Sequence, residues 1–248
     1  MTNANEITVL SMDMGIRNFA FWVDTYDRRE FPSVPKSGLS YQPNGEPTDA
    51  SREIIERVAM TGKTVFFANE DVATGNDTRT EVSSDTLCTI SELLDSHADI
   101  FSKCDYIVVE RQMQFGKMRN PKAIRVAHHV QSYFLMMFGR LANIVDFPAY
   151  HKTQVLGAPK IKTTTKKGTV RYKAVDKPTR KKWAVEVAED VLLARCGADS
   201  AEDWKTIEKF EEMKKKDDVS DCLIQGIAFV LLYLNESSPQ AVKVGGSR

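Results

Sequence analysis

The sequence has few cysteines, and none of them forms the pairs that build common cysteine sites. The four cysteines lie far apart, at Cys88, Cys104, Cys196 and Cys222, and none belongs to a CxxC pair. This spacing argues against a zinc site of the CxxC type and against a disulfide framework. We therefore expect reduced thiols, as is usual for proteins that stay inside the cell.

The sequence also lacks the segments that carry proteins across or into membranes. Its first residues, MTNANEITVLSMD, have neither the basic and apolar regions of a secretory signal nor the arginines of a mitochondrial transit peptide. No apolar run reaches the length of about 20 residues that spans a bilayer. We expect a soluble intracellular protein with no membrane partner.

Net charge is absent as well, because 34 lysines and arginines balance 34 aspartates and glutamates. The balance hides one basic segment, 160–182, which carries ten basic residues and a single acid, Asp176. Such a block, accompanied by Tyr172 and Trp183, is typical of contact with a phosphate backbone. A solvated loop or a localisation signal would have the same composition. Of these readings we favour contact with nucleic acid.

The hydrophobic pattern predicts strands first and helices later. Residues 7–14 and 19–24 are apolar and rich in β-formers, and GIRN between them predicts a tight hairpin in which Gly15 takes a positive φ. Further strands are expected at 63–72, 105–111 and 143–147. Helices are expected at 85–101, 121–142, 179–195, 201–215 and 218–234.

This order of elements predicts an α/β fold with a mixed sheet covered by helices. We expect one domain over residues 1–248, with surface insertions near 26–60 and 160–180. The first insertion is indicated by four of the nine prolines, which lie within 26–50.

Acidic residues occur where buried elements are predicted to begin or end. Asp13 lies in the first strand and Glu110 in the fourth, while Asp217, Asp218 and Asp221 open the last helix. The helix dipole favours acids at a helix N-terminus and accounts for one or two of these. It does not account for Asp13 and Glu110, because a charge among apolar side chains is costly unless it is paired or bound to a metal. Partner lysines or arginines are the alternative to a metal.

Such a cluster suits hydrolysis of phosphodiesters. Mg²⁺ prefers hard carboxylate oxygens and uses few protein ligands per ion. Two such ions, roughly 4 Å apart, can bind the attacking water and the leaving 3′ oxygen. The acids therefore predict a nuclease, although each acidic motif alone is a weak signal.

Three stretches, MDMGIRNFAF, VVERQMQ and KKKDDVSDCL, resemble the RuvC-like Holliday-junction resolvases, and most of all the branch of poxvirus-type viral and fungal mitochondrial resolvases. The motifs extend from residue 13 to residue 221. The resemblance implies an RNase H-like mixed five-stranded sheet with helices on both faces, and a homodimer. It also implies symmetric Mg²⁺-dependent cleavage of four-way DNA junctions to 5′-phosphate and 3′-hydroxyl ends, with Mn²⁺ as a substitute for Mg²⁺.

The resemblance places metal binding and catalysis on Asp13, Glu110, Asp218 and Asp221, with Asp217 as an uncertain further ligand. Lys152, which follows the predicted strand at 143–147, is expected to stabilise the charge that develops on the phosphorus. The residues expected to contact DNA are Arg17, Asn18, Gln112, Lys117, Arg119, Lys122, Lys166, Lys167, Arg171, Lys173, Arg180, Lys181 and Lys182.

Two other functions fit the same residues. One is a different RNase H-like nuclease that cuts RNA–DNA hybrids, and the other is a junction-binding protein whose catalytic site has decayed. The basic and proline-rich segments make the chain longer than compact viral resolvases and bear on the choice of substrate. The lack of a transit peptide favours a viral protein acting in the infected cell over a mitochondrial one.

Overall fold

A five-stranded mixed sheet forms the centre of the molecule in the computed structural model, which describes residues 5–35, 37–112, 119–165, 168–197 and 200–235. The strands are β1 (Glu6–Met14), β2 (Phe19–Asp27), β3 (Gly62–Glu70), β4 (Tyr106–Arg111) and β5 (Ile144–Pro148), in the order β3-β2-β1-β4-β5. The first three strands pair antiparallel, and β4 and β5 run parallel to β1. The predicted mixed five-stranded α/β sheet is confirmed.

The helices follow the strands along the chain. They are α1 (Asp49–Thr61), α2 (Ser84–Ser96), α3 (Ala98–Phe101), α4 (Pro121–Phe138), α5 (Ala149–Val155), α6 (Lys177–Arg195), α7 (Ala201–Glu212) and α8 (Asp217–Phe229). A π-helical turn, Val230–Leu234, continues α8. Strands β6 (Lys160–Thr164) and β7 (Val170–Ala174) form a separate two-stranded ribbon. None of the described helices combines the length and the apolarity needed to cross a bilayer.

Apolar side chains cover both faces of the sheet. On one face, alternate β1 residues such as Ile7 and Val9 pack with apolar residues of α1, α6, α7 and α8. On the other face, Leu10 and Met12 pack with α2, α3 and α4. The alternation follows from the pleat of a strand, whose successive side chains point to opposite faces. Helices therefore cover both faces of the sheet, as predicted.

Helix boundaries follow from local chemistry. The Asn120 side chain accepts a hydrogen bond from the Ala123 amide at 3.3 Å, and proline occupies the first turn of α4. At the other end Gly139 takes a φ of +57°, a conformation that glycine adopts without steric cost. Helix α4 therefore ends at Phe138, and the predicted extension to residue 142 is replaced by a short 3₁₀ turn.

The β1–β2 turn differs from the prediction in its glycine. Gly15 has no positive φ. A Cβ atom at this position would lie 2.5 Å from the backbone oxygen of Asn18. Glycine is required because any larger residue would clash with the Asn18 carbonyl group across the turn. The predicted hairpin itself is present, with Met14 paired to Phe19.

The proline-rich stretch 26–60 is less peripheral than expected. Its second half forms α1, where Ile55, Val58 and Ala59 are buried in the core. The basic stretch 160–180 contains the β6–β7 ribbon and the start of α6. The expectation of a single domain over residues 1–248 stays a prediction.

A buried ion pair ties α6 to the sheet. Arg195 donates to Asp24 at 2.9 Å, and Asp24 also accepts from the Trp22 indole at 2.6 Å and the Tyr26 hydroxyl at 2.9 Å. Arg195 further donates to the Ala59 carbonyl at 2.7 Å. This network links β2 to α1 and α6, which pack on the same face of the sheet.

We expect Arg195→Met to lower the free energy of unfolding by about 3–5 kcal/mol, because it leaves the Asp24 carboxylate buried without its counter-charge. Equilibrium unfolding in urea measures this change. Arg29→Met is the control, since Arg29 and Asp27 form an exposed pair, and it should unfold as the wild type does. Equal stability of Arg195→Met and the wild type would contradict the role given to the pair.

Candidate active site

The parallel pairing of β1 and β4 brings two acids side by side. Met12 pairs with Val109, so Asp13 and Glu110 occupy the next position on adjacent strands. Both point toward α8, because Val9 and Val108, which precede them by even numbers of residues, pack in the cluster on that face. The sheet thus places two carboxylates together at the carboxyl ends of its strands.

Helix α8 adds its acids from the same side. Its first turn carries Asp217 and Asp218, where the helix dipole favours negative charge, and Asp221 follows. Further along α8, the buried Gln225 side chain donates hydrogen bonds to Ser11 Oγ at 3.0 Å and to the carbonyls of Met12 and Val108 at 3.3 Å each. These bonds fix α8 over β1 and β4 and hold its first turn beside Asp13 and Glu110.

A buried lysine lies among these acids. Lys152 of α5 has its Nζ 3.2 Å from Glu110 Oε1 and 3.3 Å from Asp221 Oδ2. Burial alone would lower the pKa of Lys152, but the carboxylates of Glu110, Asp221 and Asp13 raise it above its ordinary value. The lysine is therefore a permanent positive charge near neutral pH.

Burial and mutual repulsion destabilise the ionised forms of two of these carboxyl groups. Burial, and then the charge of Glu110, raise the pKa of Asp13 well above its ordinary value, and Lys152 offsets only part of this. Burial also raises the pKa of Asp221, which Lys152 lowers and Glu110 raises again. Lys152 therefore offsets only part of the cost of ionising these two carboxyl groups.

Two more lysines contact the first turn of α8. Lys181 of α6 contacts Asp217 and lies 3.6 Å from Asp218 Oδ1, while Lys215 lies 2.6 Å from Asp218 Oδ2. Asp217 does not line the cavity described next, and its partner is Lys181. Of the two neighbouring aspartates, Asp218 is the one that faces the other acids.

The acids line a cavity of about 680 Å³. Four carboxylates lie in its wall, those of Asp13, Glu110, Asp218 and Asp221. Six basic side chains line the same cavity, namely Arg111, Lys152, Lys160, Lys177, Arg180 and Lys181. The carboxylates can bind cations, and the basic side chains can bind a phosphate chain.

The residues fit a divalent metal in their chemistry. Carboxylate oxygens from two strands and one helix are the hard donors that Mg²⁺ prefers, and their mutual repulsion favours a bound cation. Within the described residues no three acidic, histidine or cysteine side chains converge at metal-ligand distances. The Lys152 ammonium bridges Glu110 and Asp221, and two other lysines hold Asp218. The metal-ligand set stays a prediction.

Comparison with known proteins gives two viral relatives, while no protein-family model matches the sequence. The uncharacterized protein 170L of Invertebrate iridescent virus 6 is 27% identical over 240 residues, covering 93% of this chain and 92% of that protein. The uncharacterized protein 97L of Invertebrate iridescent virus 3 is 28% identical over 229 residues, covering 88% of this chain and 97% of that protein.

The solved structures that resemble this chain include resolvases. The Fowlpox virus resolvase, in complex with its substrate Holliday junction DNA, is 12% identical, with 90% of this chain and 96% of that chain covered and a TM-score of 0.46. The yeast mitochondrial Holliday junction resolvase is 13% identical, with 91% and 79% covered and a TM-score of 0.46. RuvC of Thermus thermophilus is 11% identical, with 91% and 94% covered and a TM-score of 0.44.

Three of the residues expected to contact DNA line the cavity. They are Gln112, Arg180 and Lys181. Gln112 donates from Nε2 to the Glu110 carbonyl at 3.1 Å, so it supports the backbone that carries the glutamate. Arg180 and Lys181 lie near the start of α6.

Other expected contacts lie in or near the β1–β2 turn. Arg17 and Lys122 line a second cavity, of about 590 Å³, which also contains Asp71 and Asp77. Arg119 is exposed just before α4, and the main chain of Asn18 closes the turn over the glycine. None of these four residues lines the acidic cavity.

The remaining expected contacts fall on three parts of the chain. Arg171 and Lys173 lie in β7 and are exposed. Lys182 is exposed on α6 and lies 3.3 Å from Glu186 Oε1. Lys117, Lys166 and Lys167 lie outside the described residues. Binding of DNA by each of these residues stays a prediction.

Sequence reasoning missed several residues that build the site. Lys215 could have been found from the sequence, because it precedes Asp218 by three positions at a helix start, a spacing that allows a salt bridge. Gln225 could have been found too, as a polar residue within an apolar helix segment. Tyr150, which lines the cavity from α5, could not, because that helix of seven residues is too short to show a periodic pattern.

In metal-free buffer at pH 7 we expect Asp13→Asn to melt at a higher temperature than the wild type, because it removes a buried charge that faces other carboxylates. A gain of 1 kcal/mol corresponds to about 2–4 °C in a chain of this size. Mg²⁺ should then raise the melting temperature of the wild type more than that of the variant. Differential scanning calorimetry measures both effects.

Glu208→Gln, at an exposed position of α7, is the matched control for loss of one negative charge. It should melt as the wild type does, with or without Mg²⁺. An Asp13→Asn protein that melts below the wild type without metal would show that the carboxylate is not under repulsion.

Proposed function

We propose that this chain is an endonuclease that recognises branched DNA and resolves four-way junctions by paired, symmetric hydrolysis of phosphodiester bonds. The products would carry 5′-phosphate and 3′-hydroxyl ends. One observation carries the proposal, namely that Asp13, Glu110, Asp218 and Asp221 line one cavity around a buried lysine. The basic side chains that line that cavity suit a phosphate backbone.

The four carboxylates would hold two Mg²⁺ ions, and Mn²⁺ could replace them. When bound, the metal supplies Lewis acidity for the hydrolysis of a phosphodiester by water. The chain's own contribution is to hold these oxygens on rigid elements, two strands and a helix that Gln225 fixes to both of them. Rigid placement lowers the cost of reorganising charged groups during reaction.

Lys152 would act as a fixed positive charge. The raised pKa that the carboxylates impose keeps its proton in place near neutral pH, so it is unsuited to the role of a general acid or base there. Its Nζ contacts Glu110 and Asp221, and a scissile phosphate entering the cavity would come close to it. We infer that it stabilises the negative charge that develops on the phosphate.

The proposed setting is viral. The two relatives, of similar length and spanning most of this chain, are proteins of iridescent viruses. Branched DNA that forms during viral replication or recombination is the substrate that this setting would provide.

We expect the wild type to cut a synthetic four-way junction in Mg²⁺ and not in EDTA. Asp13→Asn, Glu110→Gln and Asp221→Asn should each reduce the cleavage rate by at least about 10³-fold, since each removes a charged ligand of a metal that carries much of the catalysis. Lys152→Met should lose about 10²–10³-fold, as expected for one electrostatic group. Gel analysis of end-labelled junctions measures the rates.

The controls separate the proposal from other nuclease activities. All variants should keep their junction affinity in a gel-shift assay in Ca²⁺, so that lost cleavage reflects chemistry. Glu208→Gln should cut as the wild type does. Faster cutting of an RNA–DNA hybrid than of the junction, or tight junction binding with no cleavage in Mg²⁺ or Mn²⁺, would contradict the proposal.

We also propose that the active form is a homodimer, because two opposed strands must be cut. The end of α4 and the 3₁₀ turn after it expose an apolar patch of Leu135, Met136 and Leu141, of which Met136 is 86% exposed and Leu141 84% exposed. An exposed apolar patch of this kind is typical of an interface between proteins. A second copy would bury it and bring a second acidic cavity.

Met136→Lys combined with Leu141→Lys should convert a dimer into a monomer, because it places two positive charges on each side of the interface. Analytical ultracentrifugation measures the mass. Met60→Lys, which alters an exposed apolar residue of α1, is the control and should leave the dimer intact. A wild type that sediments as a monomer at micromolar concentration would contradict the proposed dimer.

A further inference from the structure

The β6–β7 ribbon is an isolated element beside the proposed active site. Its two strands pair with each other and belong to no larger sheet among the described residues. The apolar residues Ile161 and Val170 are 54% and 47% exposed. A two-stranded hairpin is at best marginally stable in water when nothing packs against it. The ribbon therefore presents two open faces that a partner can cover.

Positive charge is divided between these two faces. Lys162 pairs with Tyr172, and Ile161 pairs with Lys173. Since directly opposed residues share a face and successive residues alternate, Lys160 and Lys162 lie on one face. Arg171 and Lys173 lie on the other. Each face carries two cations and, within the described strands, no acid.

This division distinguishes two ways of meeting DNA. A ribbon that lies flat on a phosphate backbone needs cations on one face only, since its other face remains in solvent. A ribbon inside a groove meets phosphates of both strands, one on each side, and needs cations on both faces. The major groove of B-DNA, about 12 Å wide, admits a two-stranded β-ribbon.

The base of the ribbon lies at the acidic cavity. Lys160 and Ala174, the paired residues at the start of β6 and the end of β7, line it together with the carboxylates. The Lys160 stem packs over Gly45, where a Cβ atom would lie 2.6 Å from Lys160 Cε. A duplex held by the ribbon would thus run directly past the site of hydrolysis.

We propose that the β6–β7 ribbon enters the major groove of the duplex arm next to the cleaved phosphate and contacts both groove walls. The inference rests on the proposed function, because it requires a DNA substrate in the cavity. It deepens that function by assigning recognition of the arm to one element. The ribbon then positions the duplex, while the acids act on the phosphate.

The test uses two charge-neutralised variants, Lys160→Gln/Lys162→Gln and Arg171→Gln/Lys173→Gln, in the Asp13→Asn background so that the DNA stays uncut. Binding to a four-way junction is measured by fluorescence anisotropy over a range of KCl concentrations. Each pair of lost phosphate contacts should reduce the slope of log K against log salt by about 1.8, and binding at low salt by roughly tenfold. Both faces should show similar losses.

Lys103→Gln/Lys205→Gln is the matched control, since it removes two exposed lysines that do not line the cavity. It should keep the slope and affinity of the Asp13→Asn protein. The ribbon contributes little to the core, so all variants should show the same far-ultraviolet circular dichroism and melting temperature. Equal folding is required before the affinities are compared.

Protection of guanine N7 from methylation identifies the groove that the protein occupies, because N7 lies in the major groove. Asp13→Asn protein should protect N7 in one arm next to the junction, and both ribbon variants should lose that protection. Loss of affinity from one face alone would show a ribbon lying flat and overturn the inference. Unchanged affinity in both variants, or N7 left open by the parent protein, would overturn it as well.

The outcomes also separate this inference from the proposed function. If the Asp13→Asn protein binds no junction at all, the proposed function fails and the ribbon inference fails with it. If it binds the junction tightly and the ribbon variants bind equally well, only the ribbon inference fails.

Discussion

One buried ammonium group, that of Lys152, joins the elements that carry the acids. Burial, and then the neighbouring carboxylates of β1, β4 and α8, raise the pKa of Asp13 and of Asp221. Lys152 bridges two of them and compensates for part of their repulsion. The repulsion that remains between these carboxylates is the property that suits the cavity to divalent cations, and it is also a cost in stability that the surrounding core must offset.

The sheet supplies the rigidity that this balance requires. Parallel pairing of β1 with β4 fixes two acids at neighbouring positions, and packing on both faces prevents the strands from relaxing away from each other. The proposed nuclease chemistry, with phosphate and metal entering and leaving, would therefore take place at the edge of a sheet that is packed on both faces. The basic elements that would hold DNA are placed outside this core.

The sequence predicted those parts of the molecule where chemistry and periodicity agree. The five strands of the sheet and the acids at their ends were predicted because an apolar run bounded by charged residues is typical of a buried strand. Helix α1 was missed because prolines precede it and its exposed side is strongly polar. The β6–β7 ribbon was missed because both of its faces are exposed, so its strands have no alternation of apolar and polar residues. Contacts between distant segments, such as Lys181 with Asp217, depend on packing that no local pattern encodes.

The attachment of α8 has a consequence for how this protein can change over time. Two of the three groups that Gln225 binds are main-chain carbonyls, those of Met12 and Val108. Every residue has such a carbonyl group, so the side chains of Met12 and Val108 can be substituted while these hydrogen bonds to α8 remain. The position of α8 over the sheet therefore depends on the side chain of one glutamine more than on the side chains of the strands beneath it.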